Sequence, residues 1–171
     1  MKREHLNISD YQSFVTAYHG ESDRAAIVMA GSFAEHYLAT FIRDFMIEDE
    51  DVERLFASGP LSSFDARINI AYAFSLIEKP QRDDLRIIKS VRNRFAHSPR
   101  AISLKQQDIA AEIEKLTIRA SMEELPNPTE EQKSPRFLYL ITVGLFVIFA
   151  NQHMERRKKK KQPAPTRGNG P

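Results

Sequence analysis

Arg92 and His97 stand five residues apart, with Asn93 beside the arginine, and no other residues of this chain are better suited to chemistry. They lie in the run Ser90-Val91-Arg92-Asn93-Arg94-Phe95-Ala96-His97-Ser98-Pro99. A histidine held against an RNA 2′-hydroxyl acts as general base or acid. A guanidinium stabilises the phosphorane charge that develops, and a neighbouring amide orients it. In that reading Arg92, Asn93 and His97 cleave RNA without a metal.

The same residues have a folding role available to them. On a helical wheel over residues 85–97, Leu85, Ile88, Val91 and Phe95 form an apolar stripe, and Arg92 falls inside it. An arginine on a buried stripe must be paired, because an isolated buried charge is very costly. Glu35 and Asp65 are the candidate carboxylates for a bidentate pair. His97 is about 140° round the wheel from Arg92, so one straight helix does not bring the two together. They converge if the helix unwinds at His97, or where two copies of the motif meet in a dimer. In the folding reading His97 caps the exposed carbonyls at the helix C-terminus.

Other chemistries are not supported. The chain has no cysteine, which removes disulfides, zinc thiolates and thiol catalysis. The acidic run Glu48-Asp49-Glu50-Asp51 lacks the glycine-turned oxygen spacing of a calcium loop. His36 has Thr40, not a ligand, four residues on. His5, His19 and His153 are isolated, and there is no phosphate-cradling glycine loop or nucleophile elbow. No metal and no cofactor is expected.

Charge is distributed unevenly. The formal net charge is +2, but residues 156–171 carry seven cations and no acid, which leaves −5 on residues 1–155. A mildly acidic body argues against a broad nucleic-acid surface on the folded part. The local exception runs from Arg82 to Lys105, with seven Lys or Arg against only Asp83 and Asp84. Within it Arg86, Lys89, Arg94 and Arg100 are the expected contact residues for a partner or nucleic acid. The Lys158–Lys161 run is a second basic feature, read as a solvated tail or as a contact for nucleic acid or anionic lipid.

The elements that must position these residues are helical. Residues 1–20 read as an arm or short helix, with Tyr11, Phe14, Val15 and Tyr18 at helical spacing. Ser22 or Asp23 then caps a long helix over 23–46. Its expected inner face holds Ala26, Ala30, Phe33, Ala34, Tyr37, Phe41 and Phe45, with Ser32, His36, Ala39, Thr40 and Arg43 opposite and Glu35 at the border. A short acidic helix ends near Phe56, and Ser58-Gly59-Pro60 breaks it. Helices are expected over 64–77, 81–96 and 108–120, a loop over 125–135, and a nearly all-apolar helix over 137–154. Pro99 stops the second of these near His97. The last helix is short of the ~20 apolar residues a membrane span needs, which favours a central or dimer-interface helix over a membrane anchor. The domain is therefore residues 21–154, a compact all-α bundle of about six helices, followed by a disordered basic tail over 155–171. The segment after Met1 is polar and lacks the apolar run a signal peptide needs, so the expected location is the cytoplasm.

Several segments together resemble the mannitol operon repressor family: Asp23-Arg24-Ala25-Ala26-Ile27, Gly59-Pro60-Leu61-Ser62-Ser63-Phe64-Asp65-Ala66-Arg67-Ile68, Ala71-Tyr72-Ala73, and the run from Asp84 through Arg92 and His97 to Ser98. The resemblance covers about residues 22–120. It implies a compact all-α bundle without a helix-turn-helix, acting in transcription regulation as a repressor through a protein partner such as a transcription regulator. The Arg-x4-His pattern also resembles the wider HEPN group, whose active members are dimeric ribonucleases with the motif at the dimer cleft. That implies a homodimer and, as the alternative function, a metal-independent endoribonuclease using Arg92, Asn93 and His97. The lysine run and Pro/Gly tail depart from the family.

Overall fold

A computed structural model describes residues 20–161, with side chains through residue 159. Among the described residues there are seven α-helices and no strand, so the chain is an all-α bundle. The helices are α1 (Asp23–Asp44), α2 (Glu50–Ala57), α3 (Phe64–Ala73), α4 (Lys79–His97), α5 (Gln107–Ile113), α6 (Ile118–Glu123) and α7 (Pro135–Lys161). The arm expected over 1–20 lies almost wholly outside them.

The first three helices start where a short oxygen side chain meets an orphan N–H. Ser22 Oγ accepts from the Ala25 N–H, Asp49 from that of Asp51, and Ser63 from that of Ala66. At α4 a capping box joins Glu78 and Gln81, and Pro80 sits in the first turn, where its missing N–H costs nothing. The helix therefore starts at Lys79, two residues earlier than the spacing suggested, with Pro80 inside its first turn.

The core forms around α1. This helix runs parallel to α7, with Arg136 on Asp23 at the N-terminal end of both and Arg157 beside Asp44 toward the C-terminal end of both. Ala39 and Thr40, expected on the outer face, are buried with Ala30, Ala34, Tyr37, Leu38 and Phe41. The reason is that α1 has packed neighbours on more than one side, α4 and α7 among them. Tyr139 of α7 bridges the other two, its hydroxyl 3.3 Å from the Ile27 carbonyl and 3.1 Å from that of Ile88. Gly31 permits this approach: a Cβ there would lie 2.6 Å from Arg92 Cβ and from the Tyr139 hydroxyl.

Three further boundaries differ from the sequence expectation. α3 ends at Ala73, because Ser75 turns into the left-handed region (φ 54°) and the Leu76 and Ile77 N–H groups fold back onto the Ala71 carbonyl. The expected helix over 108–120 is two helices, α5 and α6. Between them Asp84 of α4 accepts hydrogen bonds from the Thr117 N–H (2.9 Å) and hydroxyl. α7 continues to Lys161, so residues 155–161, expected as disordered tail, are helical. There Arg157 lies over the Phe45 ring at 4.5 Å and Lys158 pairs with Glu155. By length and composition α1 and α7 could each cross a membrane, but about half of each is buried inside the bundle.

Candidate functional site

Arg92 projects from α4 toward α1 and α3. Its Nη2 donates to Glu35 Oε2, and its guanidinium stands 5.8 Å from the Phe64 ring. The pairing with Glu35 agrees with the sequence expectation, but it is a single contact rather than a bidentate one, and Arg92 Nε is buried with no hydrogen-bond partner. The other carboxylate oxygen of Glu35 is 3.5 Å from Arg67 Nη1.

Arg67 is the residue the sequence reasoning missed. It lies one turn into α3 and donates to the carbonyls of Leu61 (2.8 Å), Ser62 (3.1 Å) and Phe56 (3.4 Å). It thereby ties down the turn around Gly59-Pro60, whose carbonyls lack partners within any helix. Burial pulls its guanidinium below the ordinary arginine range, opposed by Glu35. The signal was available in principle: a lone basic residue beside a Gly-Pro turn between two helices.

Asp65 is not a partner of Arg92. It points outward and binds Lys89 Nζ, with Asn69 3.1 Å away. The Lys89 hydrogen bond holds the Asp65 carboxyl below the usual carboxylate range. Register explains the difference: Glu35 faces α4 across the Gly31 crossing, whereas Asp65 begins α3 on its exposed side.

Two of the four expected contact residues, Lys89 and Arg94, are paired with carboxylates. Arg86 donates to Asn69 Oδ1 at 3.0 Å, Lys89 is taken by Asp65, and Arg94 contacts both Asp108 and Glu112. The Arg94 hydrogen bond pulls the Asp108 carboxyl down from its ordinary value. Arg100 is exposed, and its side chain makes no ion pair among the described residues.

His97 does not cap α4. The carbonyls of Ala96 and Ser98 are taken instead by Arg24 Nη2, at 3.4 and 2.7 Å, from the first turn of α1. His97 is exposed and lines an open depression of about 430 Å³ with Arg94, Ser98, Arg100, Ile102 and Gln106. Arg92 does not line it. Asn93 is half-buried, and its side chain makes no hydrogen bond among the described residues. Within one chain the motif is thus divided: the arginine belongs to the interior, the histidine to the surface. No group of three or more metal-ligating side chains is found among the described residues.

Fold and site together define an all-α bundle with an interior Arg–Glu–Arg network and an open basic depression at the end of α4. No family model, curated protein or solved structure matches the chain.

Proposed function

We propose that this chain is a non-enzymatic regulatory protein that works by protein–protein association, as its resemblance to the mannitol operon repressor family implies. The observation that carries the reading is the engagement of Arg92 with Glu35 while His97 lines a separate depression. A phosphorane needs both groups on one reacting atom, and a guanidinium held by a carboxylate inside the bundle has little charge left to lend.

The exposed side of α4 supports a protein partner over a nucleic acid. Arg86, Lys89 and Arg94 alternate there with Asn69, Asp65 and Asp108, so both signs of charge, and donors beside acceptors, are displayed. Nucleic-acid backbones are held by free cations that displace counterions; mixed, paired charge gives register and specificity with a protein. We place the regulator in the cytoplasm as a homodimer. The outward residues Leu145 and Ile148 of α7, 43% and 36% exposed, are the apolar contact for the second copy.

The test is incubation of the full chain with RNA in EDTA, beside His97→Ala. Neither protein should cut. Cleavage by the wild type that disappears in the variant would overturn the proposal and install the endoribonuclease in its place. Sedimentation of wild type and Leu145→Glu tests the dimer: a dimer that becomes a monomer in the variant is expected, and a wild-type monomer removes that part of the reading.

A further inference from the structure

Of the seven cations from Arg82 to Lys105, four are paired with carboxylates: Arg82 with Asp83, Lys89 with Asp65, Arg92 with Glu35, and Arg94 with Asp108 and Glu112; Arg86 is tethered to the neutral amide of Asn69 and keeps its charge. Arg100 and Lys105 make no such pair among the described residues. Two of the three cations without a carboxylate, Arg100 and Lys105, therefore lie just past the C-terminus of α4. The open depression is there, with Arg100, His97 and Gln106 on its wall.

A helix C-terminus repels anions through its unsatisfied carbonyls. Here that repulsion is reduced, because the Arg24 guanidinium lies on the Ala96 and Ser98 carbonyls and adds a further positive charge. Gln106 opens α5 without using its side chain as a cap, so its amide is available as a neutral donor. Ala101 and Ile102 give the same wall an apolar portion. The volume, about 430 Å³, falls in the range of small-ligand clefts.

We propose that this depression binds the phosphate group of a small phosphorylated ligand. Arg100 supplies the charged fork, His97 and Gln106 supply N–H donors, and Ala101 and Ile102 meet the carbon skeleton. A nucleic-acid backbone fits less well, since it needs successive free cations and, of those along α4, only Arg86 lacks a carboxylate partner. The site does not depend on the regulatory reading: RNA cleavage could be absent or present without altering the charge arrangement that defines it.

The experiment is NMR titration of the full chain with inorganic phosphate and with phenyl phosphate, following the His97 ring and the Arg100 side chain. Both ligands should shift these signals saturably, the ester at lower concentration because of the apolar wall. Arg100→Gln should weaken binding about tenfold or more, the usual size of a lost charge-assisted hydrogen bond, and Arg100→Lys by less. Lys115→Gln makes the same charge change on the α5–α6 turn and should leave the affinity as it was. Arg100 is exposed, so its variants should fold, which circular dichroism checks. The proposal is overturned if the His97 ring does not move, if chloride at equal ionic strength moves it as much, or if Arg100→Gln and Lys115→Gln weaken binding equally. It is also overturned, in favour of a protein ligand, if an oligoglutamate peptide moves the same signals at lower concentration than phenyl phosphate.

Discussion

Glu35 neutralises two guanidinium groups at once, and both are mostly buried. Arg92 and Arg67 keep 17% and 12% of their side-chain surface, and Glu35 keeps 23%. Breaking such a network from the middle is worse than never building it, because two cations are left partly desolvated without a counter-charge. Glu35→Gln should therefore destabilise the bundle by about 3 kcal/mol in urea unfolding. Arg92→Met should cost less, since Arg67 then keeps Glu35 and an apolar stem replaces the guanidinium in contact with Phe64. If the two variants cost the same, Glu35 is not the centre of the network. Asp84 presents the opposite electrostatic case. Burial raises its pKa from the ordinary 3.8, and its hydrogen bonds to Thr117 only partly compensate. A raised carboxyl pKa means that the folded chain holds the proton more tightly than the unfolded chain. This group's contribution is thus most favourable below 3.8 and is lost as pH rises through the folded value. Asp84→Asn keeps an acceptor for the Thr117 N–H and removes the buried charge. It should be at least as stable as wild type at pH 7, with the gap closing as the pH falls toward 4. A variant clearly less stable than wild type at pH 7 would show that the ionised carboxylate is needed at Thr117. The candidate pair Arg92–Glu35 was legible from the apolar stripe, since only a carboxylate on a facing helix could satisfy it. Arg24 and Arg67 were not legible, because each answers carbonyls exposed by a turn or helix end whose position is a tertiary fact.

At the level of elements, the crossing of α1 and α4 depends on the absence of a side chain at Gly31. A Cβ would sit 2.6 Å from the Arg92 stem and the Tyr139 hydroxyl, so the helices would have to separate. Alanine gains about 1 kcal/mol of helix propensity over glycine, and overpacking a tight contact costs about 1–3 kcal/mol. With Arg92 and Tyr139 both tied to partners, overpacking should prevail. Gly31→Ala is expected to be destabilising by about 1–2 kcal/mol in thermal or urea unfolding. A stabilising effect would mean that Arg92 moves freely aside. Helix existence was readable from apolar period and cap residues: Ser22 and Ser63 open helices as their chemistry dictates. The misread boundaries share a cause. The split of α5 from α6 is enforced by Asp84, 33 residues before Thr117, and a local pattern has no access to so distant a carboxylate. The early end of α3 is set by Ile77, which is buried once the chain reverses at Ser75.

For the whole molecule, composition and periodicity were enough for the all-α class. They were not enough to show that the helix carrying the basic run is continuous with the core. Lysine-rich sequence without apolar residues reads as tail. However, α7 carries Arg157 back over α1, where its guanidinium lies 4.5 Å from the Phe45 ring centroid and its Nε is 3.9 Å from Asp44 Oδ2. The last turns of α7 thus close one end of the bundle, as Arg136 and Asp23 close the other. Whether a terminal segment can be removed depends on the contacts its backbone and side chains make, not on its place in the sequence. Ending the chain at Met154 should therefore reduce stability, by about 1 kcal/mol if the cation–π contact and the weak ion pair are the main loss. Arg157→Ala in the full chain should reproduce most of that loss, which separates the contact from the removal of the lysines. Paired urea titrations at low and high salt make the distinction sharper. The ion-pair part is screened, whereas packing of the guanidinium on Phe45 is not. A truncated chain as stable as the full one would return residues 155–161 to the status of an appendage.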